Sequence, residues 1–385
     1  MNRIGINLLW LVPGVVGGSE TYTTRLLHGL AERSSELDYT LFALPQFASA
    51  HPELSRTFKT LYAPLRGRSK GARVVAGENS WLALQAARNH IDLMHHAGGT
   101  MPLIRVSRPV LTIHDLQYLF YPEYFTRPKL TFLQTVMPRS AESARLILTP
   151  SEFTRRTVIE RLDIDPTLVR VVPHGISPIP SRGEASTEVR NRYDIAGPFF
   201  LYPAATYPHK NHLVLVNGFA RLLKMHPDAS LVLTGAKGWR EWSTAKSMES
   251  RLAEEIRTLK IQDRVKRLGY VSGADLDALY REACALVFPS RFEGFGAPIL
   301  EAWARDCPVI AADATALPEV VADCGRLVSP DNAEDWAAAM SEMIEDDAQR
   351  EQYIKSGATR AREFSWLRSA DVLENAYAHA LETTL

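Results

Sequence analysis

The sequence predicts an α/β chain of two successive doubly wound parallel-sheet domains. Short apolar runs alternate with longer amphipathic stretches over the first half, the pattern pauses in a polar stretch at 176–192, and an equivalent series follows. With 385 residues and 46% hydrophobic side chains the chain can fill two cores, whereas one domain of that length would be unusually large.

In the first half, Ile4 to Leu9, Tyr39 to Leu44, Leu93 to His96, Val110 to Ile113, Leu146 to Thr149 and Val169 to Val172 read as buried strands. Helical periodicity marks Ser19 to Glu32, Trp81 to His90, Lys129 to Ala144 and Glu152 to Arg161. The pause carries two prolines and a glycine among polar residues, the composition of a linker. Beyond it, strands are expected near Phe199 to Pro203, Ser230 to Thr234, Val265 to Gly269, Ala285 to Pro289, Pro308 to Ala311 and Gly325 to Val328. Helices are expected over Leu213 to Met225, Met248 to Leu259, Leu276 to Cys284 and Asp335 to Glu345. The domains are placed at 1–178 and 193–365 with a linker at 179–192, and a final helix over 366–385 is expected to pack back on the first. Ligands of such sheets bind at the carboxyl ends of the strands, so a cleft between the domains is the expected site.

Composition narrows the function. The 44 basic and 44 acidic side chains cancel, which gives no summed field for nucleic acid. The apolar start is interrupted by Asn7 and Pro13 and reads as a first strand better than as a signal peptide. No run reaches the roughly 18 apolar residues of a membrane span. Cys284, Cys307 and Cys324 lack metal-ligand spacing and read as buried thiols in a reducing compartment, so a cytoplasmic location is expected.

The most informative segment is Phe288-Pro289-Ser290-Arg291-Phe292-Glu293-Gly294-Phe295-Gly296-Ala297-Pro298-Ile299-Leu300-Glu301-Ala302. It reads as strand, glycine loop and helix start, with Pro298 in the first turn where its missing N–H does no harm. Such a junction aims backbone N–H groups and a helix dipole at one spot, which suits a diphosphate. Glu293 and Glu301 flank that spot as acceptors for sugar hydroxyls. Taken alone, the segment is equally a glycine turn with two solvated acids.

The segment resembles the glutamate pair, with seven residues between its members, of retaining glycosyltransferases of the GT-B fold in family 4. Further matches follow the family's order: Gly17-Gly18-Ser19-Glu20, Thr112-Ile113-His114-Asp115-Leu116 through Tyr121-Pro122-Glu123, Pro150-Ser151-Glu152-Phe153, Val172-Pro173-His174-Gly175-Ile176 and Tyr207-Pro208-His209-Lys210-Asn211. The resemblance implies two Rossmann-like domains, the second binding a nucleotide sugar and the first an acceptor. It implies that Glu293 holds hydroxyls of the donor sugar, that Glu301 holds the ribose, and that Lys210 holds the diphosphate. It places His114 beside the donor sugar, Gly17 and Gly18 beside the donor, and the backbone of Gly269-Tyr270-Val271 against the base. Gly294, Phe295, Gly296, Ala297, Ile299 and Leu300 complete the implied donor set, while Asp115, His174 and His209 are weaker acceptor or cleft residues. By themselves, a lone loop lysine is usually a solvated charge and a lone histidine usually structural.

Two departures stand out. Many relatives place an arginine six residues before the lysine, where this chain has Ala204, and His174 stands where asparagine is common. His95 and His96 are expected to straddle a strand end, one inward and one outward, without forming a metal site. The basic cluster Arg66, Arg68, Lys70 and Arg73 reads as solvated surface, with peripheral contact to anionic lipid headgroups as the minority alternative.

The reaction expected is metal-independent hexosyl transfer with retention, from a nucleoside diphosphate sugar to a hydroxyl of a glycan or lipid-linked acceptor in polysaccharide or glycoconjugate biosynthesis, with no cofactor. The motifs look most like bacterial mannosyltransferases of polysaccharide assembly, favouring GDP-mannose over UDP- and dTDP-sugars. A catalytically inactive sugar-nucleotide or glycan binding protein of the same fold is the alternative. A nicotinamide oxidoreductase is disfavoured because Gly14-Val15-Val16-Gly17-Gly18 does not fit its glycine fingerprint.

Overall fold

A computed structural model of the chain describes residues 1–65, 73–105, 107–176, 186–235 and 243–382. The chain forms two compact units. The first comprises Met1–Phe120, Arg127–Ser177 and Phe364–Leu385, and the second Tyr121–Thr126 and Pro178–Glu363. The Tyr121-Pro122-Glu123 stretch, grouped by motif with the first domain, therefore belongs to the second unit, where Tyr121 stacks on Tyr124 and meets the edge of Phe292.

The first unit holds a parallel sheet in the order β3-β2-β1-β4-β5-β6-β7. Its strands are β1 (Arg3–Asn7), β2 (Asp38–Ala43), β3 (Lys59–Tyr62), β4 (Leu93–His96), β5 (Arg108–Thr112), β6 (Leu146–Thr149) and β7 (Val169–Val171). Six of them coincide with the predicted runs. The edge strand β3 was not predicted, because only its neighbour β2 demands apolar side chains and its own Lys59-Thr60-Leu61-Tyr62 is nowhere fully buried. The second unit is a parallel sheet in the order β10-β9-β8-β11-β12-β13. It comprises β8 (Phe199–Pro203), β9 (Ser230–Thr234), β10 (Val265–Gly269), β11 (Ala285–Phe288), β12 (Val309–Ala312) and β13 (Arg326–Val328), each overlapping a predicted strand.

Both sheets are covered on both faces, which is why their central strands read as unbroken apolar runs. This overturns one expectation. Successive side chains on β4 point to opposite faces, but helices cover both, so His95 and His96 are 3% and 4% exposed and neither faces outward. Each is satisfied by neutral partners. His95 Nδ1 and Nε2 lie 2.7 Å from the Tyr377 and Thr112 hydroxyls, and Asn7 Nδ2 donates to His96 Nδ1 at 3.2 Å. Burial lowers both pKa values to about 3, so the rings are neutral.

The linker reading also needs correction. Residues 177–185 lie outside the described residues, but Ser186–Arg192 is a helix with Val189 buried against the second unit. Its polar sequence hid an anchor of a single apolar side chain. The helix Asp347–Ala361 was not predicted either, since only Gly357 and Ala361 are buried and its periodicity is weak.

At Phe364 the chain returns to the first unit. The helix Trp366–Glu382 buries Ser369, Ala370, Leu373, Ala376, Tyr377 and Ala380, the i, i+3, i+4 stripe of an amphipathic helix. Glu374 accepts from Arg33 at 2.7 Å and from the Tyr39 hydroxyl at 2.6 Å. Close approach at the return point requires Gly175, where a Cβ would lie 2.2 Å from the Trp366 amide nitrogen. Of the basic cluster, Arg66, Arg68 and Lys70 lie outside the described residues, and Arg73 opens a π-helix over Arg73–Leu82. Among the described residues no helix is long and apolar enough to cross a membrane.

Candidate functional site

The singled-out residues form one cluster in each unit. In the first unit the turn after β1 runs into the helix Gly18–Ala31. Its N-cap, Gly17, has φ +70°, a left-handed backbone that glycine adopts without strain. A Cβ on Gly17 or Gly18 would meet nothing within 4 Å, so open space lies beside this helix start. Glu20 braces the turn: it accepts from the Gly14 amide at 2.8 Å and lies 3.0 Å from His51 Nε2.

His114 follows β5, half-buried, with Nε2 3.0 Å from the Ala97 carbonyl. A carbonyl only accepts, so Nε2 carries the proton and Nδ1 is the acceptor of the ring. Burial lowers the His114 pKa, against smaller upward pulls from the Ala97 hydrogen bond and the Asp115 carboxylate. Tyr22, one turn into the glycine-capped helix, binds the cluster together. Its ring centroid is 5.3 Å from that of His114 and 4.6 Å from that of His174, and its hydroxyl donates to the Val172 carbonyl at 2.8 Å. Burial also lowers the His174 pKa to about 3, with a smaller effect from His114. Asp115 is exposed and accepts from the Gln117 amide at 2.9 Å, capping the short helix that follows.

The second unit presents a charged cluster. Lys210 ends the 3-10 turn Pro208–Lys210 after β8, where the buried Tyr202 hydroxyl donates to its carbonyl at 2.7 Å. Lys210 Nζ lies 2.5 Å from Glu293 Oε1 and 5.5 Å from the centre of the Phe288 ring. Lysine and glutamate are thus paired with each other. His209 stacks on Tyr207, and its backbone carbonyl accepts the Arg291 amide at 2.8 Å, tying the lysine turn to the glutamate loop. Burial, with Lys210 next, depresses the His209 pKa well below the usual imidazole value.

The glutamate loop closes at Gly296, which has φ +110° and caps the helix Ala297–Trp303. A side chain there would strike Leu317, with a Cβ 2.7 Å from Cδ2. Phe295, Ile299 and Leu300 point into the core, and the Ile299 amide already donates to the Gly296 carbonyl. Gly294 and Ala297 are half-buried. Glu301 is exposed and accepts from the Tyr280 hydroxyl at 3.0 Å. After β10, Val271 is buried and Tyr270 is 86% exposed.

The structure thus brings Lys210, His209, Glu293, Gly296 and Glu301 onto loops and helix starts of one unit, and in the other gathers His114 and His174 around Tyr22, whose helix Gly17 caps. Tyr22, Tyr202 and Tyr280 were not found from sequence. Their positions are ordinary helix or strand positions, and no local spacing signals which polar group a buried tyrosine will meet.

Known proteins resemble the chain across both units. Residues 16–178 match the model of Glycosyltransferase Family 4 and residues 187–360 that of Glycosyl transferases group 1. O-antigen chain mannosyltransferase B of Escherichia coli is 30% identical over 296 residues, 76% of each chain. O-antigen chain mannosyltransferase RfbU of Salmonella typhimurium is 27% identical over 68% of this chain and 67% of its own. The solved structure of HepE from Anabaena with UDP-glucose superposes with a TM-score of 0.75 at 19% identity, covering 98% of this chain and 100% of its own. With two parallel-sheet units, family matches over both halves and a relative of this identity over three quarters of its length, the chain belongs to glycosyltransferase family 4 and is a glycosyltransferase of the GT-B fold.

Proposed function

We propose that the protein transfers a hexosyl group, mannose from GDP-mannose in the first instance, to a hydroxyl of a glycan or lipid-linked glycan in polysaccharide assembly. The transfer retains anomeric configuration and needs no metal. The observation that carries the reading is the Lys210–Glu293 pair on adjoining loops, with Glu301 one helix start away. The unit offers a cation for a diphosphate and two carboxylates, one for sugar hydroxyls and one for ribose, the chemistry that a nucleoside diphosphate sugar needs. The O-antigen mannosyltransferase relatives favour mannose.

In the reaction, the bond from the anomeric carbon to the diphosphate oxygen breaks and its electron pair goes to the phosphate. Lys210 stabilises the growing negative charge, the kind of preorganised interaction that lowers a barrier most. The acceptor oxygen attacks from the face the phosphate leaves, and its proton passes to the departing phosphate oxygen. Glu293 orients the sugar through its hydroxyls. His114, whose Nε2 is used on the Ala97 carbonyl, keeps Nδ1 as a hydrogen-bond acceptor. No protein nucleophile is required.

The test is a panel of GDP-, UDP- and dTDP-sugars, followed by mass detection of hydrolysis and by the anomeric configuration of transferred product. GDP-mannose turnover with an α-linked product in the presence of chelator is expected. Turnover of none of the panel would favour an inactive binding protein, and activity lost to chelator and restored by magnesium would refute metal independence.

A further inference from the structure

The loop that carries Glu293 is held by a residue that its own motif does not contain. Thr315 lies between β12 and the helix Leu317–Val321, and its φ is +53°. A β-branched residue is a poor occupant of left-handed backbone, because its Cβ substituents crowd the adjacent peptide groups. Such geometry persists only where the surroundings enforce it, and it clusters at functional sites. Here its consequence is visible: Thr315 Oγ1 accepts the Glu293 amide at 3.0 Å. Two residues on, Leu317 packs on Gly296, where a Cβ would be 2.7 Å away. The segment 315–317 therefore grips both ends of the turn 293–296, the first end by a hydrogen bond and the second by packing. From that turn the Glu293 carboxylate reaches Lys210.

We propose that Thr315 is the positioning residue of Glu293, its strained backbone being the conformation that places the hydroxyl under the Glu293 amide. The functional consequence rests on the glycosyl-transfer reading above. Thr315 itself touches no substrate; it fixes the backbone from which Glu293 meets the donor sugar, so it governs transfer more than nucleotide affinity.

Three variants of the chain test this: T315S keeps the hydroxyl, T315V keeps the shape without it, and T315G removes the side chain while relieving the backbone. T315G is expected to melt at or above the parent temperature, since glycine accepts this φ freely. Its turnover at saturating donor should fall about tenfold, as expected of a reacting group misplaced by a fraction of an ångström. Affinity for free nucleoside diphosphate should stay within about twofold of the parent, T315V should behave likewise, and T315S should restore turnover. Turnover of T315G close to the parent's overturns the proposal, and so does a loss of nucleotide affinity as large as the loss of turnover. Hydrogen exchange at the Glu293 amide, read without any ligand, should accelerate about tenfold or more in T315G and T315V. Unchanged exchange overturns the proposal. A parent chain that neither binds nor turns over any nucleoside diphosphate sugar defeats the glycosyl-transfer reading and the catalytic role with it, while accelerated exchange would still uphold the contact itself.

Discussion

The two units hold their clustered polar groups in different ways. In the first, the groups are neutral rings: His114 and His174 pack on Tyr22, and burial lowers their affinity for protons. In the second, beside the buried imidazole of His209, the full charges Lys210 and Glu293 pair with each other. Neutral groups can be buried with only a hydrogen bond or two to satisfy. Charges so little exposed must be paired, so in the proposed reaction a diphosphate would draw Lys210 away from Glu293 before that carboxylate turned to a sugar.

The sharpest way to break this comparison is Lys210→Ala. Charge grows on the leaving phosphate, so turnover at saturating donor should fall by about a hundredfold or more. Loss of a charge-assisted hydrogen bond should weaken nucleoside diphosphate binding about tenfold, measured by calorimetry. With Ala204 in place of a second cation, little in the same turn compensates. Normal binding and turnover would reduce Lys210 to a loop charge paired with an acid.

Glu293→Gln separates the partners. Transfer should fall by about tenfold or more through lost sugar orientation. Affinity for the free nucleoside diphosphate should hold or rise, because Lys210 loses its internal competitor. If nucleotide affinity drops as far as in Lys210→Ala, the exchange of partners is wrong.

Glu301→Ala should weaken nucleotide binding by about tenfold while leaving bound donor to react, and Tyr280→Phe, which removes one hydrogen bond to the carboxylate, by a few-fold at most. Equal effects from the two would mean that Tyr280 does more than orient Glu301.

The last comparison concerns the buried histidines of the first unit. His95, His96 and His174 have folded pKa values near 3, below the ordinary 6.5, so between those limits the unfolded chain binds more protons than the folded one. Their contribution to stability is complete above about pH 6.5 and is lost as the pH falls toward 3. Unfolding midpoints followed from pH 8 to pH 5 should be level at first and then decline. His174→Asn should make that decline shallower. A decline unchanged in the variant would show that His174 is hydrated and titrates normally.

Much of this was legible in the sequence because parallel sheets buried on both faces leave a strong trace. β11 and β12 are wholly apolar and β6 is apolar up to Thr149, all with their four residues buried, and each was recognisable. The glutamate segment was legible for a similar reason: glycine at φ +110° beside a proline in the first helical turn is a local requirement, written in adjacent residues. The edge strand β3 and the helix Ser186–Arg192 were not legible, because each meets the core through few side chains and composition dominates the signal.

By itself the sequence determined the two α/β units, the strand–loop–helix that carries Glu293 and Glu301, and the likeness to family 4, since all three depend on spacing along the chain. Only the tertiary structure decided that both β4 histidines are buried and neutral, that Lys210 rests on Glu293, and that Thr315 holds the Glu293 amide. These pairs are 83 and 22 residues apart, and their partners are chosen by which loops the sheet order β8-β11-β12 places side by side. Local propensity carries no record of that choice, because a hydrogen bond or ion pair across strands depends on register and burial, which arise when the sheet assembles.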